Sequence, residues 1–441
     1  MRIWLAVLSM IILVVAILTI KMTIWESTKE EKQPQETPRQ PAQPTLPRAA
    51  PPSTPSPDVE QFFPLGTNTK LGKQVLWMHP NKYDDSWVND ASQWDTVADA
   101  LDVFGFFFIQ VDKANGDAFE KKLLKQKGIR ISIEVGGLRP FQCDGTTFFN
   151  QIDKPVFDKL VNGGHKNFIV SLDAPFTYTV QDGFHSQCAQ LFASGDNAKF
   201  SASGCDPKTT MQCSYTVSQV ADELIEYLAL FAKNYPHAEI GWIEPLPLLR
   251  FSSYPSEKPP IDGKSFPDFK QIVDVLMQKI AAYNAANDPD IKLSFFHSDS
   301  YFTGMMVPII QNTYDSWAKH IAASNYLRTK GLRFGILLND YRKTLPTQAE
   351  KDKAFSEGVL NYYDCWHAKG GTLDDVVVES WVGDHPSLGV PEEKTYTFTN
   401  LMTKLIQRML DQNYAPKCDA QKIIQDILDM PAESPKNSRN Q

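Results

Sequence analysis

Acidic side chains at the ends of apolar runs are the residues of this chain best suited to chemistry. Glu244 closes Ile240-Gly241-Trp242-Ile243 and is stopped by Pro245, while Glu379 closes Val376-Val377-Val378 and precedes Ser380-Trp381. A carboxylate directly behind a buried apolar run is costly unless it is paired, solvated in a cleft or used in a reaction. Two carboxyls facing each other across roughly 5 to 9 Å are what cleavage of a glycosidic bond requires. The remaining runs end in residues of the same kind: His79, Asp112, Glu134, Asp173, His297 with Asp299, and Asn339 with Asp340. Trp242 and Trp381 sit beside the two glutamates, where an indole can stack on a sugar face. Trp77, Trp87, Phe176, Tyr178, Tyr301 and Phe302 fall near the other run ends or in loops.

Short, nearly continuous apolar runs occupy 74–79, 104–111, 129–135, 167–172, 239–243, 291–296, 332–338 and 375–379. Such runs are the signature of parallel strands buried on both faces. Amphipathic stretches lie between them, at 94–102, 117–127, 153–162, 217–233, 267–285, 306–329, 348–369 and 396–412. In the stretch at 217–233, Val217, Val220, Leu224, Leu228 and Phe231 fall on one helical face. Eight strands alternating with helices over this length predict an α/β fold, a closed (β/α)8 TIM barrel over 62–430, with an open doubly wound sheet as the competing arrangement. In a closed barrel the polar strand ends converge on one mouth. Gly136-Gly137 and Gly163-Gly164 are bare pairs that read as turns, not phosphate cradles.

The amino-terminal region carries a different signal. Ile3 to Ile20 is almost unbroken apolar sequence behind Arg2, long enough to span a hydrocarbon core, and no small-residue cleavage site follows it. Residues 1–25 therefore read as an uncleaved signal-anchor helix, 26–61 as a Pro-rich stalk and 431–441 as a disordered tail. The expectation is a single-pass membrane protein whose barrel lies outside the cytoplasm. Six cysteines suit that oxidising side. Cys143, Cys188, Cys205 and Cys213 fall in connections after strands three and four, and Cys365 and Cys418 are placed to join neighbours in the outer helical ring. A net charge of −8 and a pI near 5.6 oppose nucleic-acid binding.

The segments around Glu244 and Glu379 resemble the strand ends of retaining (β/α)8 glycoside hydrolases, which place a glutamate acid/base after one strand and a nucleophilic glutamate three strands on. The resemblance covers roughly 70–412 and implies Glu244 as general acid/base and Glu379 as nucleophile. It implies a carbohydrate substrate and no cofactor, with His79, Asp112, Glu134, Asp173, Trp242, His297, Asp299, Asn339 and Trp381 lining the substrate cleft. Ile243 stands where those enzymes carry an Asn, and the two acids end strands five and eight instead of four and seven.

Other readings stay open. Asp173 and Asp299 match the spacing of barrel enzymes that act on α-linked sugars. A metal-dependent hydrolase would draw on His79, Asp112, His297 and Asp299, although no H-x-H pair or H-E-x-x-H helix is present. No G-x-S-x-G elbow supports a serine nucleophile. A catalytically silent barrel that binds a glycan or scaffolds an envelope assembly is the alternative from another class.

Overall fold

The computed structural model describes residues 69–72, 74–80, 91–111, 128–139, 143–180, 215–251, 267–310, 315–340, 345–380, 389–419 and 425. The expected anchor, stalk and tail lie outside these residues, as do Trp87, Asp112 and Trp381. Among the described residues no helix is long and apolar enough to cross a membrane.

Eight parallel strands close into a barrel in sequence order. They are β1 (Val75–Pro80), β2 (Val103–Phe107), β3 (Arg130–Val135), β4 (Ile169–Asp173), β5 (Glu239–Glu244), β6 (Leu293–Ser298), β7 (Arg333–Leu338) and β8 (Asp375–Ser380). Closure comes from β1 pairing with β8 over six residues, from Val75 opposite Asp375 to Pro80 opposite Ser380. The open sheet is thereby excluded. Around the barrel lie α1 (Asp95–Ala100), α2 (Gly145–Phe148), α3 (Lys154–Asn162), α4 (Pro175–Thr179), α5 (Val217–Asn234), α6 (Phe269–Asn284), α7 (Phe302–Ile310), α8 (Ser316–Thr329), α9 (Gln348–Ala368) and α10 (Phe398–Leu410). The stretch expected as one helix at 306–329 is two, α7 and α8, because Asp315 starts a new helix by accepting from the Trp317 and Ala318 amides.

Alternation along each strand sorts the residues into two cores. Val75, Trp77, Val103, Ile169, Ile243, Phe295, Leu337 and Val377 form one cluster, inside the barrel. Their neighbours of opposite parity, such as Leu76, Met78, Ile240, Trp242, Phe296 and Val376, pack between the sheet and the helices. Two inward glycines make room for large rings. A Cβ on Gly105 would lie 2.7 Å from the His79 ring, and one on Gly335 would lie 2.7 Å from the His297 ring. Several aromatics expected near the rim belong to these cores instead: Trp77 is inside the barrel, and Phe176 and Phe302 are buried in the outer layer.

Charges at the strand beginnings plug the barrel floor. Arg333 pairs with Asp375 at 3.1 Å and with Glu239 at 2.8 Å, and Arg130 reaches Glu239 at 2.7 Å. Asp375 also accepts from Trp77 Nε1 at 3.3 Å and contacts His297 Nε2 at 3.1 Å. Outside the barrel, Cys365 of α9 is bonded to Cys418 beyond α10, one of the pairings the sequence left open. Cys143 is disulfide-bonded as well.

Arg333 is 3% exposed and answers two buried acids. Arg333→Met leaves Asp375 and Glu239 short of a counter-charge, so it should destabilise the barrel by about 3–5 kcal/mol in chemical denaturation. A loss below about 1 kcal/mol would show that the floor network is not needed for folding.

Candidate active site

Four carboxylates and a histidine meet where the strands end. His79 ends β1, Glu134 lies in β3, Asp173 ends β4, Asp299 follows β6 and Glu379 lies in β8. Each has the inward parity of its strand, shared with Trp77, Ser132, Ile169, His297 and Val377 respectively. Register brings two of them together directly, because His79 pairs with Glu379 across the barrel closure. The His79 ring stacks on Phe107 with centroids 4.2 Å apart, and Phe107 is the β2 partner of Glu134.

His79 Nδ1 lies 3.2 Å from Glu379 Oε2 and 3.9 Å from Glu134 Oε2. One oxygen of each glutamate and one His79 nitrogen all fall within 4.8 Å of one another. Burial lowers the His79 pKa, against the Glu134 charge and the Phe106 carbonyl, which raise it. The ring is therefore neutral near pH 7, and in its Nδ1–H tautomer it donates to Glu379. Burial pushes both glutamates well above the ordinary carboxylate range. The charges of Glu379, Asp173 and Asp299 add to this for Glu134, and those of Asp299 and Asp173 for Glu379. Asp299 is pushed up to about 7 by burial and by Asp173. Arg139, in the connection after β3, holds Asp173 at 2.5 Å and also donates to its backbone carbonyl. Glu134 Oε2 makes no hydrogen bond.

The structure gathers only part of the expected set. His79, Glu134, Asp173, Asp299 and Glu379 converge at the mouth, and Asn339 follows Leu338, the register partner of Val378. His297 is deeper, stacked on Phe295 at 4.5 Å and tied to Asp375 on the floor. Trp242 faces outward and packs edge-on against Phe296 at 5.1 Å, because its parity is that of Ile240 and not of inward Ile243. Glu244 shares that outward parity and is fully buried away from the cluster. Its Oε1 accepts from the Phe176 amide at 2.8 Å, and its Oε2 accepts from the Thr177 amide at 3.1 Å and the Thr177 hydroxyl at 2.5 Å. It thus satisfies the first turn of α4, behind a left-handed Ala174 with φ 48°. Burial raises the Glu244 carboxyl to about 8 even against these hydrogen bonds. Arg139 and Phe107 were not singled out from sequence. The signal for Arg139 was a cation two residues after the Gly136-Gly137 pair on an acid-rich rim.

No family model and no curated protein matches the chain. Solved structures similar to it include remote ones at 9–12% identity. A GH5-4 broad-specificity endoglucanase from an uncultured bacterium has a TM-score of 0.40 at 12% identity, over 79% of this chain and 96% of that one. A β-mannanase from the blue mussel Mytilus edulis gives 0.37 at 10%, over 78% and 94%. An aldose reductase from Schistosoma japonicum gives 0.36 at 10%, over 84% and 99%. Hydrolases and a reductase stand side by side in this group, so the likeness carries no argument about the reaction. The barrel rests on its own strand pairing.

Buried carboxyls leave a mark on pH dependence. Asp299 and Glu244, raised to about 7 and about 8, hold protons in the folded state that the unfolded chain releases near pH 4. Raised folded-state values mean that stability falls as pH climbs from about 4 to about 8. Glu379→Gln removes one charge from the cluster, so it should raise the thermal midpoint at pH 8 relative to the parent and change it little at pH 5. Equal shifts at both pH values would contradict mutual repulsion at the rim.

Proposed function

We propose that the barrel is a glycoside hydrolase using Glu379 as nucleophile and Glu134 as general acid/base on a poly- or oligosaccharide. The observation that carries this reading is the approach of the two glutamate carboxyls at the mouth, with one oxygen of each inside 4.8 Å. Oxygens inside that limit suit the ~5–5.5 Å carboxyl separation of double-displacement enzymes better than the ~6.5–9.5 Å that inversion needs. Two carboxyls this close hold one proton between them at neutral pH. Glu134, with a side chain 15% exposed against 3% for Glu379, is the partner open to a leaving group. The His79 N–H favours the anion on Glu379.

In the first step Glu379 attacks the anomeric carbon while Glu134 gives its proton to the departing glycosidic oxygen. Glu134 then takes a proton from water, whose oxygen displaces Glu379 from the same carbon and regenerates both groups. Asp173, held by Arg139, and Asp299 line the same mouth and accept hydrogen bonds from sugar hydroxyls. Asp173 with Asp299 thereby take a binding role in this reading, not a catalytic one.

A second reading has one specific observation behind it. His79, Glu134 and Glu379 offer one ligand atom each within 4.8 Å of one another, which suits a divalent ion. The two readings part on chelation. A silent glycan-binding barrel parts from both through binding without turnover.

Membrane tethering completes the proposal. The apolar run Ile3 to Ile20, the Pro-rich segment behind it and the Cys365–Cys418 bond support a barrel held outside the cytoplasm.

On aryl glycosides Glu379→Gln should abolish turnover, and Glu134→Gln should cost roughly 10²–10⁴-fold, least with the best leaving groups. The first product should keep the anomeric configuration of the substrate, and EDTA should leave the rate unchanged. Glu244→Gln should lower the thermal midpoint and retain turnover. Full activity in both Glu379→Gln and Glu134→Gln would overturn the assignment, and activity lost to EDTA and restored by a divalent ion would select the second reading.

A further inference from the structure

Asn339 is a buried polar side chain at the rim for which the fold has no use. It follows β7 with the inward parity of Gly335 and Leu337, and the β7–β8 register, Leu337 with Val377 and Leu338 with Val378, carries it alongside Glu379. The next residue confirms the direction. Asp340 turns the other way, bonding Thr303 Oγ1 at 2.6 Å and crowding Gly358 of α9. Asn339 is 4% exposed, and neither Oδ1 nor Nδ2 has a hydrogen-bond partner. Its backbone carbonyl is already engaged by the Phe302 amide, so the side chain is not needed to hold the loop.

A buried amide with both ends unpaired costs stability, which an apolar residue of similar shape would avoid. Such a residue suits a bound group that supplies both missing partners. The surroundings narrow the choice. An anionic group would meet Glu379 and Asp299, and a cation would satisfy Oδ1 while facing the like-signed Nδ2 hydrogens. Two neighbouring hydroxyls on one ring fit: one accepts from Nδ2 and the other donates to Oδ1.

We propose that Asn339 reads a pair of adjacent hydroxyls on the sugar ring that lies against Glu379, which makes it a specificity-determining residue for sugars with a free vicinal diol there. This rests on the hydrolase reading above. A site built to bond a hydroxyl rejects the analogue lacking it far more strongly than an apolar wall rejects an extra group, because its own polar atoms are then stranded.

The test uses Asn339→Leu and Asn339→Ala in the full chain, with 4-nitrophenyl α- and β-glycosides of glucose, mannose and galactose and their 2-deoxy analogues. Both variants should keep or raise the thermal midpoint, and kcat/KM on the hydroxylated substrate should fall roughly 10²-fold or more. The parent should disfavour the deoxy analogue by a similar factor, and the variants should lose that discrimination. A lowered midpoint with unchanged kcat/KM and unchanged discrimination would make Asn339 structural and overturn the inference. If the parent cleaves no glycoside, the hydrolase reading fails by itself, and calorimetric binding of the same glycosides decides the role of Asn339: weaker binding to Asn339→Leu supports it, and equal or absent binding overturns it.

Discussion

Pairing of the first strand with the last is the constraint on which the remainder of this molecule depends. When Val75 to Pro80 lies beside Asp375 to Ser380, the sheet loses both edges and every strand end is turned toward one rim. The same register sets His79 against Glu379 at the top and Val75 against Asp375 at the bottom. Between these levels the barrel is filled by apolar side chains from Val75, Trp77, Val103, Ile169, Ile243, Phe295, Leu337 and Val377.

Charge is handled in opposite ways at the two ends of that interior. On the floor, two arginines answer the acids: Arg333 serves Asp375 and Glu239, and Arg130 also serves Glu239, so Asp375 is held below the usual carboxylate range by Arg333 and by hydrogen bonds from His297 and Trp77 despite its burial. On the rim, burial and then the neighbouring acids, Asp299 among them, raise the pKa of Glu134 and Glu379, while Arg139 is paired with Asp173. A fold selected only for stability gains nothing from that asymmetry, since like charges in a partly buried cluster repel and raise one another's pKa. The rim carries that repulsion, and the floor answers its own charges beneath it.

Much of the fold was legible because parallel strands covered on both faces read as plain apolar runs, and all eight were found within a few residues of their ends. That same property hid the site's orientation. Ile240-Gly241-Trp242-Ile243 is apolar at every position, so period two is invisible and Glu244 looks equivalent to Glu379. The inward face is marked instead by small or polar residues inside the strands. Ser132 precedes Glu134 at inward parity, Ser171 precedes Asp173, and Asp375 precedes Glu379. In β5 the marked residues are Glu239 and Gly241, whose parity excludes Glu244. A polar residue two or four positions earlier was thus a better guide than a neighbouring tryptophan. Arg139 was hidden for a different reason, since its partner Asp173 is contributed by the next strand and no local pattern links them.

The central claim is that Glu134 and Glu379 share one site and one proton. Carbon-13 NMR of glutamate side-chain carboxyls, followed from pH 3 to pH 10, tests it most directly. The account predicts that these two titrate in separate steps, with one well above the ordinary range near 4.5, and that Glu134→Gln draws the Glu379 step downward. Independent titration of both near 4.5, unmoved by that substitution, would contradict it.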